Sequence, residues 1–200
     1  MDNHWLTLVR WAVLFIWLVW LAVYWRGGPG LVKGLLNSFR SSLFRYDGLL
    51  ILGIVLFSTV MLWSGVLITV GAFAYPQGWS VSLFTWAGAA LILTGAAGTM
   101  VCRYQLGEFW NVKAELYENH QVVDRGLYRM VRHPIYAFAC LKTAGTLLVF
   151  MTWWTVLAGL LVIACYTMKA LSEERLLENG LPGYAEYQQR VRYRIAPWIW

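Results

Sequence analysis

The stretch RHPIYAFACLKTAGTLLVFMTWWTVLAGLLVIACYTMKAL, residues 132–171, decides the fold, because it holds two apolar runs separated by only four residues. The first run, 135–150, is about 16 residues long. A transmembrane helix needs roughly 20 apolar residues, so this run is marginal for a full span and the pair predicts a tight helical hairpin. Trp153 and Trp154 are expected at the far membrane interface, where indole rings prefer to lie.

The composition of the whole chain is that of a membrane protein. Of its 200 residues, 60% are hydrophobic and 13% are charged, whereas a soluble domain carries about 25% charged residues. The net charge of +6 is distributed over the links between apolar runs, so no nucleic-acid partner is expected. The three cysteines are odd in number and lack paired spacing, which favours small core residues over disulfides or a metal site; they are Cys102, Cys140 and Cys165.

Three further apolar runs raise the predicted number of membrane helices to about five. They cover residues 5–25, 49–75 and 80–102, and the sequence Tyr75-Pro76-Gln77-Gly78 predicts a turn between the last two. We therefore predict an all-α, polytopic integral membrane protein. Residues 1–104 would form three N-terminal spans, and residues 105–200 a second region with the short hairpin and a polar tail.

The basic links alternate with uncharged ones along the chain. Eleven of the twelve arginines and two of the four lysines lie in links 26–48 and 103–134 and in the tail 172–200, whereas 76–79 and 151–154 hold no charge. The positive-inside rule then predicts an N-terminus outside the cell, with the 103–134 segment and the C-terminal tail in the cytoplasm. Nothing in the sequence indicates an oligomeric state.

The polar segment before the hairpin ends in Arg132-His133-Pro134. Proline suits the first turn of a helix and restricts the residue before it, so we expect a helix to begin near Pro134 with His133 just outside it and Tyr136 in its first turn. The free N–H groups at such a helix start can receive an anion. Arg132 can equally bind lipid headgroups, and His133 can be either structural or functional.

The polar segment after the hairpin places Lys169 and Glu173 four residues apart, on one helix face. Glu173 and Glu174 would oppose the dipole of a helix that ended there, so either the helix continues past Glu178 or the acids serve a ligand. Residues 181–191, LPGYAEYQQRV, predict a short amphipathic helix on the membrane surface. Lys142, inside the fourth apolar run, is either functional or extends to the interface.

The two polar segments share one set of polar, aromatic and glycine residues: Leu106-Gly107, Trp110, His120 to Val123, Gly126, Tyr128, Arg132-His133-Pro134, Tyr136, Glu173-Glu174, Tyr184 and Tyr187. Together these residues resemble the pattern of the isoprenylcysteine carboxyl methyltransferases and, more distantly, of the phospholipid N-methyltransferases. The resemblance covers roughly residues 105–194.

The resemblance implies S-adenosylmethionine as the methyl donor, bound in a cytoplasmic pocket. The residues implied to bind this cofactor are His120, Gln121, Val122, Val123, Tyr128, Arg132, His133, Pro134, Ile135, Tyr136 and Glu173. His133, Lys169 and Glu173 are the implied catalytic residues, and no metal is implied. Lys169 falls near a substrate-contacting arginine of the family, but a lysine cannot bind a carboxylate in the same bidentate way.

Methyl transfer needs alignment of the acceptor with the donor methyl group more than it needs acid–base chemistry. An ionised carboxylate acceptor requires only a cation such as Lys169, and Arg132 could bind the carboxylate of the donor. An amine or thiol acceptor must lose a proton, for which His133 is the candidate base. We expect a lipophilic or lipidated acceptor, and a carboxylate is the favoured group for methylation. Phospholipid N-methylation and thiol S-methylation are the enzymatic alternatives. A membrane scaffold or transport component, whose basic loops bind anionic lipid, is the non-enzymatic one.

Overall fold

The computed structural model describes residues 4–26, 46–69, 81–110, 116 and 120–200. In these residues the chain is helical, without strands. The helices are α1 (His4–Arg26), α2 (Tyr46–Thr69), α3 (Val81–Leu106), α4 (Pro134–Val149), α5 (Trp153–Gly180) and α6 (Tyr184–Arg190), with short 3-10 helices at Gly107–Phe109 and Gly126–Arg129. The predicted turn at residues 75–78 and most of link 26–48 lie outside the described residues.

Three of the described helices are long and apolar enough to cross a membrane. The candidate spans are Leu50–Ile68, Leu83–Phe109 and Trp153–Gly180. The apolar segments Thr7–Val19 and Pro134–Val149 are shorter. The all-helical prediction and the membrane character are thus confirmed, whereas the count of five spans and the orientation of the termini remain predictions.

Helices α4 and α5 form the hairpin, with only residues 150–152 between them. Thr152 caps α5, because its hydroxyl accepts a hydrogen bond from the backbone N–H of Thr155 at 3.3 Å. The Thr155 hydroxyl in turn accepts one from the N–H of Thr152 at 2.9 Å. Helix α5 then continues to Gly180, well beyond the apolar run. Glu173 and Glu174 therefore lie inside a helix and do not oppose its C-terminal dipole.

Helices α3 and α4 approach each other closely through glycines, as small residues allow in membrane bundles. A Cβ added to Gly88 would lie 2.6 Å from the carbonyl oxygen of Gly145, and one added to Gly95 would lie 2.7 Å from that of Phe138. Lys142 lies in this contact region and is only 1% exposed. Its ammonium nitrogen is 4.2 Å from the ring centre of Trp17, so the side chain does not extend to the interface.

Candidate active site

The segment before α4 has the predicted local structure. Pro134 occupies the first turn of α4, and His133 precedes it with a non-helical backbone, at φ −123° and ψ 62°. The backbone N–H of Arg132 donates to the carbonyl of Tyr193 at 2.9 Å, and that of His133 donates to the carbonyl of Arg194 at 2.8 Å. The C-terminal tail thus lies directly beside the start of α4, a contact between segments about 60 residues apart in sequence.

Glu174 is the centre of a buried ion-pair network. Its side chain is 3% exposed and accepts from Nε of Arg132 at 2.6 Å and from Nε of Arg194 at 2.7 Å. Arg132 also donates through Nη1 to the carbonyls of Val191 at 2.9 Å and Arg192 at 3.2 Å. The guanidinium that was expected to bind a donor carboxylate is therefore engaged by groups of the protein itself. Through these contacts Arg132 holds the C-terminal tail against α5.

Glu173, the neighbouring acid, faces a different set of partners. Its Oε1 accepts from the hydroxyl of Tyr136 at 2.8 Å and lies 3.1 Å from Nζ of Lys169. Its Oε2 lies 3.8 Å from Nδ1 of His133, while Nε2 of the same imidazole lies 3.4 Å from Glu174. The His133 imidazole is thus located between two carboxylates. Lys169 is 1% exposed and its charge is compensated by Glu173.

A cavity lies between these groups, and most of the predicted cofactor-binding residues line it. Ten of the eleven line it, namely His120, Gln121, Val122, Val123, Tyr128, Arg132, His133, Ile135, Tyr136 and Glu173. Pro134 and Lys169 are not part of the lining: Pro134 begins the helix, and Lys169 lies behind Glu173.

Sequence reasoning did not assign nine other lining residues to the pocket: Leu50, Leu106, Phe109, Trp110, Leu176, Leu177, Leu181, Tyr184 and Tyr187. Leu176 and Leu177 could have been found, because they follow Glu173 by three and four residues on one helix face. Leu50 comes from α2, and no local pattern connects it to the cavity.

The predicted short helix forms as α6, and its apolar face packs on the cavity of the same chain, whereas its position relative to the membrane surface remains a prediction. Tyr184 and Tyr187 are 4% and 2% exposed and pack with Leu181 and Val191. The hydroxyl of Tyr187 donates to the carbonyl of Tyr128 at 2.7 Å. Burial raises the pKa of Tyr187 above its ordinary value, so the hydroxyl remains a donor. The apolar face of the helix is covered by other parts of the same chain.

Another wall of the cavity is a stacked aromatic pair. The rings of Phe109 and His120 are parallel within 6°, with centroids 4.7 Å apart. Burial lowers the pKa of His120 below its ordinary value, so the imidazole is neutral near pH 7. The pair presents a flat, uncharged surface of the kind on which a heteroaromatic ring can stack.

Comparison with known proteins connects this geometry to a family. Residues 87–179 match the family model described as Isoprenylcysteine carboxyl methyltransferase (ICMT) family. The match begins in α3, includes the hairpin and both acids, and ends one residue before the end of α5. No curated protein matches the chain. The segment that carries the RHP sequence, the hairpin and the acid pair is a domain of the isoprenylcysteine carboxyl methyltransferase family.

Proposed function

We propose that the chain is an integral membrane methyltransferase that uses S-adenosylmethionine and methylates a lipophilic acceptor. The observation that carries the proposal is that the HQVV segment, the start of α4 and Glu173 of α5 line one common cavity. These are the residues that the family resemblance implies for the donor, and they come from three separate parts of the chain.

The chemical groups in the cavity fit the donor. S-adenosylmethionine, when bound, supplies a methyl group on a positively charged sulfur. Tyr128 and Tyr136 offer aromatic faces that attract a cation. Glu173, with a side chain 21% exposed, can accept hydrogen bonds from an ammonium or from ribose hydroxyls. The stacked pair of Phe109 and His120 can receive the adenine.

The family favours a carboxylate of an isoprenylcysteine-like molecule as the acceptor. A carboxylate is ionised at neutral pH, so this chain would have to supply position and charge but no base. Lys169 is the nearest buried cation to Glu173, and it would have to share its ammonium between Glu173 and the acceptor.

One observation favours a second candidate, an amine or thiol acceptor. Because the charge of Lys169 is compensated by Glu173 at 3.1 Å, the cavity wall offers a carboxylate acceptor little net positive charge. An amine or thiol needs a proton acceptor instead. His133, which lines the cavity with its two ring nitrogens 3.8 Å and 3.4 Å from two carboxylates, is placed for that role.

Calorimetric titration of the detergent-purified chain with S-adenosylmethionine tests the proposal. We expect saturable binding, weakened at least tenfold by His133→Ala and by Glu173→Ala. The exposed acid Glu186, which is not part of the lining, provides the control Glu186→Gln with unchanged affinity. Absence of binding at millimolar donor would reject the enzymatic proposal in favour of a scaffold or transport role. Unchanged affinity in both cavity variants would reject this pocket.

The acceptor class is then decided with a panel of molecules that share one farnesyl tail. N-acetyl-S-farnesylcysteine, farnesylamine and farnesylthiol each offer a different group for methylation: a carboxylate, an amine or a thiol. Transfer to the acetylated farnesylcysteine alone supports carboxyl methylation, and transfer to the amine or thiol that is lost in His133→Gln at saturating donor supports His133 as base. Phosphatidylethanolamine extends the panel to a phospholipid amine.

A further inference from the structure

The last seven residues of the sequence, 194–200, form a compact turn that we call the tail hook. The backbone N–H groups of Arg194 and Ile195 both donate to the carbonyl of Trp200, at 2.9 and 3.2 Å. The N–H groups of Ile199 and Trp200 donate back to the carbonyl of Ala196. The hook is thus an ordered element closed by its own backbone hydrogen bonds.

The hook exposes two of its apolar side chains. Trp198 is 85% exposed and Ile199 is 84% exposed, although Ile195 in the same turn is buried. Trp198 has φ 62°, a left-handed conformation that bulky residues rarely adopt. The backbone of the hook therefore directs these side chains away from the protein, and nothing in the hook itself covers them.

The position of the hook relates it to the membrane. Tyr193 and Arg194, which lead into it, accept the backbone hydrogen bonds of Arg132 and His133, immediately before the apolar helix α4 begins. The hook consequently lies beside the start of the short apolar helix α4, which is predicted to enter the membrane, and tryptophan is enriched at the membrane interface.

The sequence that leads into the hook and forms it is basic. Residues 190–200, RVRYRIAPWIW, contain three arginines and no acid. Arg190 is paired with Asp124 at 2.8 Å and Arg194 with Glu174 at 2.7 Å, whereas Arg192 is exposed and the structure shows no acidic partner for it among the described residues. Exposed apolar side chains next to a basic residue fit a surface that has an apolar interior beneath negatively charged groups. The headgroup layer of an anionic bilayer is such a surface.

We propose that the tail hook docks into the headgroup layer of an anionic membrane through Trp198 and Ile199, with Arg192 on the lipid phosphates. Arg194 joins the hook to Glu174 and the tail backbone joins it to His133, so docking holds the tail against the cavity wall. This inference is independent of the methyl donor and of the acceptor.

Fluorescence quenching in nanodiscs tests the proposal on the full chain. Ile199→Cys carries an environment-sensitive nitrobenzoxadiazole label, and Glu186→Cys on the exposed side of α6 carries the same label as a matched water-facing reference. The unsubstituted chain measures any labelling of the three native thiols. Nanodiscs contain phosphatidylglycerol, and the quencher is a lipid spin-labelled at the headgroup.

We expect strong quenching at position 199 and weak quenching at position 186. Arg192→Gln should lower the ratio of docked to undocked hook about fivefold, since one cation near an anionic surface contributes on that scale. Trp198→Ser should reduce the quenching at position 199, because it removes one of the two docking side chains. Equal quenching at 199 and 186, or quenching at 199 that is unchanged when phosphatidylcholine replaces phosphatidylglycerol, would overturn the proposal.

Discussion

Glu174→Gln should destabilise the protein strongly, because this carboxylate compensates two guanidinium groups at a site that is almost fully buried. Removing one partner of a buried ion pair typically costs about 3–5 kcal/mol. Arg132 would retain its two backbone carbonyl partners, and the side chain of Arg194 is 34% exposed, so we expect the lower end, about 3 kcal/mol. In a chain of this size 1 kcal/mol changes Tm by about 2–4 °C, so Tm should fall by about 6–12 °C.

Thermal unfolding in one detergent, followed by circular dichroism, measures this effect. Glu178→Gln is the matched control, because Glu178 lies on the same helix but is exposed and has a single hydrogen bond from Gln188. A surface change of this kind should alter stability by no more than about 0.5 kcal/mol. If Glu174→Gln unfolds within about 2 °C of the unsubstituted protein, a shift worth at most about 1 kcal/mol in a chain of this size, the buried network does not hold the tail as described.

Three further tests address a buried hydrogen bond, the contact between α3 and α4, and the protonation of His120. Tyr187→Phe should cost about 1 kcal/mol because a buried carbonyl loses its donor, whereas Tyr184→Phe should be neutral, since the described structure shows no partner for that hydroxyl. Gly95→Ala should cost about 1–3 kcal/mol because its Cβ would meet α4 backbone at 2.7 Å; Gly53→Ala, facing a thiol at 3.0 Å, should cost less. The pKa of His120 is lower in the folded than in the unfolded protein, so below about pH 6.5 the unfolded chain binds this proton more readily. The contribution of His120 to the free energy of unfolding is therefore constant above about pH 6.5 and is lost as the pH falls below that value. His120→Gln should abolish this component in unfolding measured against pH.

Local patterns predicted the parts of the structure that depend on neighbouring residues. The start of α4 follows from Pro134, because proline both favours the first helical turn and restricts the residue before it. The hairpin follows from the short link Met151-Thr152-Trp153-Trp154 between two apolar runs. The placement of Glu173 and Glu174 follows from a helix that continues past Glu178, one of the two predicted explanations, and α5 extends to Gly180.

The remaining features depend on contacts that local patterns do not encode. The amphipathic pattern of α6 is the same whether its apolar face meets lipid or, as here, the cavity of the same chain. Arg132 and Glu174 are separated by 42 residues, and nothing in their spacing distinguishes this pair from other pairs of arginine and glutamate. Leu50 reaches the cavity only through the packing of α2. Tertiary packing decides each of these cases.

Methyl transfer itself is the most direct test of the proposed function. The purified chain in nanodiscs receives S-adenosylmethionine tritiated in the methyl group together with the farnesylated acceptors, and radioactivity is counted in the lipid extract. We predict label in the extract that is reduced at least tenfold by His133→Ala and by Glu173→Ala and is unaffected by Glu186→Gln. If no label reaches any acceptor while the chain still binds the donor, the proposed methyltransferase function is contradicted.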